Sequence, residues 1–441
     1  MQKGKKFLSD LKLYSDYFKW REEDSRYENW NEACESIIDG HRIKYEGIDI
    51  ESLLKEAEEG IKERLVLASQ RNLQYRYPQI MRNNERMYNC VGVLFNKNDY
   101  FQKCFHVLLS GCGLDFSIRK KFISQLSPIY RRTSGTKTFV IEDSIEGWSD
   151  ALGVLMSSYL GDNQPFPEFS GYEIKFDYTL IRQKGSYIAG GFKAPGHEGL
   201  KQSLEFIESL LEKWISTEGN QIRPILVYDI IMHAANAVLS ACSVLIDEDD
   251  TEMIYAKIGN WRQDNPQRAR SNNAVGLIRN NFSYEKLKEI IELNHGDNDI
   301  SFIFVHDEEE VSNPCREITF RPIIQDRTGF QMCNLTEINA SLCKNRETFL
   351  RACRIGAILG TFQAGYADFP YLGADTEELV RREALIGVSI TGWMNQPFLF
   401  DADLLREGAE LVVATNKEVA ALIGINPAAR TTTVKPSGNA S

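Results

Sequence analysis

Strand-like and helix-like runs alternate along this chain, and that alternation restricts the fold more than any other feature. Thr138-Phe139-Val140-Ile141, Ser301-Phe302-Ile303-Phe304-Val305 and Thr431-Thr432-Thr433-Val434 read as short strands. Between them, Leu53, Leu54, Ala57, Ile61, Leu65 and Val66 fall at helical spacing over residues 51–69. Leu200, Leu204, Ile207, Leu210 and Leu211 repeat the pattern up to Trp214. Each set marks one buried stripe. Residues 224–246 are apolar nearly all round, as for a helix that runs into a buried strand or loop. The two periods in alternation predict an α/β architecture. No internal repeat, low-complexity tract or long linker interrupts it, so one large domain is expected. The charged and aromatic first fifty residues are expected as short helices wrapped over it.

Composition narrows the class. A chain of 441 residues that is 43% hydrophobic has ample material for a core. Its apolar runs fall short of a membrane span, and no apolar stretch of a secretion signal follows Met1-Gln2-Lys3-Gly4-Lys5-Lys6. A net charge of −11, from 51 Lys+Arg against 62 Asp+Glu, argues against wrapping duplex nucleic acid. Small anionic ligands can still find a local basic or amide-rich pocket. Nine cysteines without regular spacing fit reduced thiols and a cytoplasmic location. There is no Cys-x-x-Cys and no metal-ligand spacing among the six histidines, so no metal site is expected.

Glycine-containing loops are where chemistry could sit: Leu109-Ser110-Gly111-Cys112-Gly113, Gly190 to Gly196, and Lys435-Pro436-Ser437-Gly438-Asn439-Ala440-Ser441. The most informative segment is Asn313-Pro314-Cys315-Arg316-Glu317. In an extended backbone, Asn313, Cys315 and Glu317 point to one side, converging an amide, a thiol and a carboxylate. A proline turn with a buried cysteine and a solvated glutamate accounts for the spacing as well.

Asn313-Pro314-Cys315-x-Glu317 followed by Cys333-Asn334-Leu335 resembles the finger loop of ribonucleotide reductase catalytic chains. Other segments agree in order: Met87-Tyr88-Asn89-Cys90, Ser110-Gly111-Cys112-Gly113, Val140 to Trp148, Phe176-Asp177-Tyr178, Asn265 to Asn273, Ile386 to Ser389, Asn426 to Arg430 and Val434 to Gly438. They are most similar to the adenosylcobalamin-dependent (class II) members, phage-borne ones included. The resemblance implies a ten-stranded α/β barrel of the ribonucleotide reductase and glycyl-radical type. A helical region over residues 1–75 would precede barrel residues 76–441, without an ATP cone.

It also implies roles. Cys315 would be the thiyl radical that takes the ribose 3′ hydrogen, Glu317 the base on the 3′ hydroxyl, and Asn313 a substrate-orienting amide. Cys90 and Cys333 would be the dithiol that becomes a disulfide. Ser110, Pro436, Ser437, Gly438, Asn439 and Ala440 would bind substrate, and Lys193 and Ser240 would lie in effector loops. Adenosylcobalamin is the expected cofactor. A nucleotide substrate and effector, a thioredoxin- or glutaredoxin-type reductant and a second copy of the chain are the expected partners. A class I-type chain served by a ferritin-like radical subunit is the alternative within this chemistry. A catalytically dead nucleotide-binding paralogue is the alternative outside it.

Three departures accompany the resemblance. The family continues past the Pro-Ser-Gly loop where this chain reaches Ser441, so a split or interrupted enzyme with a second chain carrying the remaining strands is expected. Val238-Leu239-Ser240 stands where the family carries Arg-Arg-Ser, which removes two guanidiniums from the effector loop. Asp115 and Arg316 each occupy a position where the family commonly has glycine.

Overall fold

Cys90-Val91-Gly92-Val93-Leu94 and Cys242-Ser243-Val244-Leu245-Ile246 are buried at every position, the pattern of parallel strands covered on both faces. The computed structural model describes residues 2–187, 193–293 and 299–435. The strands that organise the site are β1 (Val66–Leu67), β2 (Cys90–Leu94), β3 (Gly113–Ser117), β4 (Cys242–Ile246) and β5 (Ser271–Ile278). They continue with β6 (Ile300–Val305), β7 (Val311–Ser312), β8 (Thr319–Phe320), β9 (Gln331–Asn339) and β10 (Ile386–Thr391).

The described residues fall into two compact units. One takes those of Met1–Asn89, Tyr187–Phe192 and Met332–Ser441, and the other those of Cys90–Ser186 and Lys193–Gln331. In the second unit, β2, β3, β4, β5 and β6 lie side by side as parallel neighbours. Helices Tyr100–Leu109, Ile145–Tyr159, Glu198–Thr217 and Pro224–Ala237 fall between the strands in sequence, as the crossover connections of parallel strands require. The helix Glu198–Thr217 buries Leu200, Leu204, Ile207, Leu211 and Trp214, the stripe legible in the sequence. Residues 224–246 resolve into the helix Pro224–Ala237, a turn and β4.

In the first unit, β9 pairs in parallel with β10 and in antiparallel fashion with β1. Helices Trp30–Lys44, Glu51–Lys62, Arg346–Ala364 and Ala402–Ile423 pack their apolar faces into one core, among them Ile37, Leu54, Ile61, Ile355, Phe362 and Val419. No helix among the described residues is long and apolar enough to cross a membrane.

Three local expectations are corrected. The stripe over 51–69 is helical only to Lys62, because Arg64 takes a left-handed φ of 60°. The amides of Arg64 and Leu65 then close on the carbonyls of Ile61 and Gly60 at 2.8 and 3.0 Å, a Schellman stop that releases Leu65 and Val66 into β1. Thr431–Val434 is not a strand: it runs beside β10 but makes a single bridge, Thr432 to Val388. The first fifty residues hold two helices of 15 residues and a short hairpin, Trp20–Arg21 with Arg26–Tyr27.

Candidate active site

Register fixes the floor of the site. Gly92 of β2 is paired with Asp115 of β3, and Asp115 with Ser243 of β4, so the three face the same side at one level. Two residues earlier, Cys90 is paired with Gly113. A hairpin formed by β7 and β8 lies over this rung and carries residues 313–318 at its tip. Gly92 makes room for it: a Cβ there would stand 2.4 Å from the Phe320 ring and 3.2 Å from Val311. A glycine inside an otherwise apolar strand marks such a close approach.

The tip is a turn, which corrects the extended reading. The Arg316 amide donates to the Asn313 carbonyl at 2.9 Å, with Pro314 in the second position of the turn where its fixed φ fits. Arg316 takes a left-handed φ of 68°. That region costs a residue with a Cβ roughly 1–2 kcal/mol and explains why glycine suits the position.

Asn313 is fully buried. Its Oδ1 accepts from the Ile318 amide at 2.9 Å, and its Nδ2 donates to Cys90 Sγ at 3.6 Å. The first bond needs an acceptor, so it orients the amide with the nitrogen toward the thiol. Asn313 and Cys90 are thus brought together. Cys315 and Glu317 share the tip; Glu317 is half-buried, with both carboxylate oxygens shielded from solvent. Cys315 is the one partly exposed cysteine of the nine.

Polar contacts seat the tip on the rung. Ser243 Oγ donates to the Pro314 carbonyl at 3.1 Å. Asp115, wholly buried, pairs with Arg316 at 2.8 Å and accepts from the Ser312 amide and hydroxyl at 3.2 and 3.1 Å. Burial raises the Asp115 carboxyl above its ordinary range, while Arg316 and the Ser312 donors oppose that. The sequence marked Asp115 and Arg316 only as separate departures. Ser243 was missed, its signal being one hydroxyl in an apolar strand.

Ser110 caps the helix Tyr100–Leu109 and is fully buried; among the described residues its Oγ has no hydrogen-bond partner. Gly111, at a φ of 88°, turns the chain from there toward Gly113, the neighbour of Cys90. Lys193 is exposed. Ser240 donates its amide to the Ala235 carbonyl at 3.0 Å, beyond an exposed, left-handed Leu239. Pro436, Ser437, Gly438, Asn439 and Ala440 lie outside the described residues.

In the other unit, Cys333 is fully buried in β9. Its neighbour Asn334 accepts from Gln363 Nε2 at 2.8 Å and donates to the Leu385 carbonyl at 3.1 Å. Further along β9, Glu337 lines a cavity of about 490 Å³ with Tyr17, Arg64, Asn89 and Lys435. Burial pushes the Glu337 carboxyl up to about 7, against Lys435 and Ser389. Its sequence setting, an acid inside a strand, had not been singled out. Among the described residues no group of three or more His, Cys, Asp or Glu could hold a metal ion.

No protein-family model matches the chain. It is similar to a probable adenosylcobalamin-dependent ribonucleoside-triphosphate reductase of Dictyostelium discoideum, 26% identical over 69% of this chain and 40% of that protein. It is also similar to the adenosylcobalamin-dependent ribonucleoside-triphosphate reductase of Lacticaseibacillus paracasei, 22% identical over 96% of this chain and 70% of that one. A crystal structure of a B-12 dependent (class II) ribonucleotide reductase superposes with a TM-score of 0.79 at 19% identity, over 97% of this chain and 72% of its own. The chain thus spans less than half of the first relative and about seven tenths of the others. The likeness read from the motifs is borne out in sequence and in fold: this is an α/β chain with the fold of a class II ribonucleotide reductase.

Proposed function

We propose that the chain is the catalytic part of an adenosylcobalamin-dependent ribonucleotide reductase, with Cys315 as its radical thiol. The observation that carries this reading is the hairpin tip. It presents the one partly exposed cysteine, while its buried Asn313 reaches the Cys90 thiol on the strand beneath.

A thiol that must be met by a radical source has to be reachable, whereas the hydrogen donors that follow must be shielded from side reactions. Cys315 meets the first demand, and the buried Cys90 and Cys333 meet the second. Adenosylcobalamin, when bound, supplies the radical that makes the Cys315 thiyl. Both curated relatives carry that dependence in their names, which favours it over a ferritin-like subunit.

The remaining work falls to the chain. The Cys315 thiyl takes the 3′ hydrogen, Glu317 takes the 3′ hydroxyl proton and later returns it, and the 2′ hydroxyl leaves as water on receiving a proton from the Cys90 and Cys333 pair, whose second hydrogen goes to C2′. Cys90 and Cys333 give up two hydrogens and join as a disulfide, and the 3′ hydrogen returns from Cys315. An external dithiol then restores the pair by exchange. To take and return its proton, Glu317 has to stand within hydrogen-bond reach of the 3′ oxygen. Ser110, three residues before the Gly113 that pairs with Cys90, is buried with an uncommitted hydroxyl among the described residues, which suits it to meet a polar group of the substrate.

The test is nucleotide reduction by the protein as its source cell makes it, with adenosylcobalamin and a dithiol, comparing the parent with Cys315→Ala. The variant is expected to bind nucleotide and form no deoxynucleotide. Deoxynucleotide formed at the parental rate by Cys315→Ala would overturn the assignment. Nucleotide binding without turnover in the parent as well would favour the non-catalytic paralogue.

A further inference from the structure

We propose that Asp115 and Arg316 act together as positioning residues for Cys315, a side-chain clasp that fixes the tip of the hairpin on the sheet. The inference rests on the reading above for what Cys315 does, but its geometry stands apart from that reading.

Asp115 is an acid in the middle of a parallel sheet, with no exposure to solvent. Among the described residues, the three groups that donate to its Oδ2 all belong to the hairpin: the Ser312 amide, the Ser312 hydroxyl and Arg316 Nη1. Arg316 Nη1 also donates to Ser312 Oγ at 2.8 Å, so the hydroxyl relays between guanidinium and carboxylate. Arg316 Nη2 points to the Val244 carbonyl of the next strand, at 3.5 Å. The clasp therefore ties the residue directly after Cys315 to β3, while Ser243 of β4 holds the residue directly before it through the Pro314 carbonyl. Cys315 is bracketed on both sides.

The backbone supports the same conclusion. Arg316 sits at a φ of 68°, a conformation a side chain other than glycine adopts only when its surroundings compensate. Here the compensation is the buried carboxylate. The two residues that stood out separately in the sequence are one device, and each is unfavourable without the other. Removal of Arg316 leaves the buried carboxylate with the two neutral donors of Ser312; removal of Asp115 leaves a left-handed arginine with only Ser312 Oγ and the Val244 carbonyl to hold it. Replacement of both by glycine frees the turn to adopt its φ without strain and buries no charge.

The experiment compares Arg316→Gly, Asp115→Gly and the double variant in the protein as its source cell makes it. Three quantities are read: kcat and KM for nucleotide reduction, the rate at which iodoacetamide alkylates Cys315, and the melting temperature. Each single variant is expected to lose on the order of tenfold or more in kcat, with KM for nucleotide nearly unchanged and a several-fold change in Cys315 alkylation. The double variant is expected to recover most of both, an interaction that only a coupled pair produces. Where a single variant does not fold, Arg316→Lys replaces it, retaining the charge without the fork. Single variants that melt earlier but keep parental kcat and alkylation would overturn the proposal, leaving a purely structural ion pair. Losses that simply add in the double variant would also overturn it. A parent that forms no deoxynucleotide, while alkylation still shows the coupling, would instead count against the reductase reading.

Discussion

Gly92→Ala tests how the hairpin is seated, and its consequence can be worked from the structure. The added Cβ would stand 2.4 Å from Cδ2 of Phe320, where ordinary carbon contacts begin near 3.5 Å, so something must move by about 1 Å. The ring cannot swing aside, because Phe320 is wholly buried, and Val311 closes the other side at 3.2 Å. Overpacking of this kind costs about 1–3 kcal/mol. In a cooperative unit of roughly 150–250 residues each kcal/mol lowers Tm by about 2–4 °C, so a drop of several degrees is expected. The least costly escape is a lift of the whole hairpin, since Val311 and Phe320 are its two paired ends. That lift carries Asn313 away from Cys90 and displaces Cys315, and a misplacement near 1 Å costs on the order of 100-fold in rate. Thermal melts and turnover on the same preparation measure both effects, and Gly92→Ala with Phe320→Leu is expected to regain part of each. A Gly92→Ala protein that melts within a degree of the parent and reduces nucleotide normally would refute the packing argument.

Two further outcomes follow from other sites. Glu337 keeps its proton in the folded chain up to about pH 7 but ionises near 4.5 when unfolded, so its contribution to stability is complete below pH 4.5 and is lost as pH rises to about 7. Melting temperatures across that range should show the loss in the parent and a smaller slope in Glu337→Gln; equal slopes would mean that the carboxyl is not held protonated. Arg268 grips the buried Asp229 with two bonds of 2.8 and 2.7 Å, so Arg268→Ala leaves that carboxylate with Gln267 as its remaining side-chain donor. A loss toward the lower end of about 3–5 kcal/mol is expected by denaturant unfolding, and a change under 1 kcal/mol would show that water takes the place of the arginine.

Much of the second unit was legible because its signals are local. A fully buried parallel strand reads as an apolar run, as Cys242–Ile246 does with Ser243 its one exception, and an amphipathic helix repeats its stripe, as Leu200 to Trp214 does. The stop after Lys62 was not legible, because the left-handed residue is Arg64 where a glycine would have announced the end. Thr431–Val434 has the composition of a strand but only one bridging partner, and composition does not report pairing.

The site divides in the same way. Asn-Pro at 313–314 is itself a turn signal, and it outweighed the alternation that would have aligned Asn313, Cys315 and Glu317 on one side. What no local pattern could supply is the register that sets Gly92, Asp115 and Ser243 on one rung, 23 residues separating the first two and 128 the last two. Once that rung exists, the features that looked irregular in the sequence acquire one cause. The glycine in β2 admits the Phe320 ring, the acid in β3 binds the arginine after the thiol, and the serine in β4 binds the proline before it. Each of the three is a local misfit in an apolar strand, and each is satisfied by the same hairpin. A sequence is expected to break its own local rules where a function has to be held in place, and in the second unit these strands break theirs beneath Cys315.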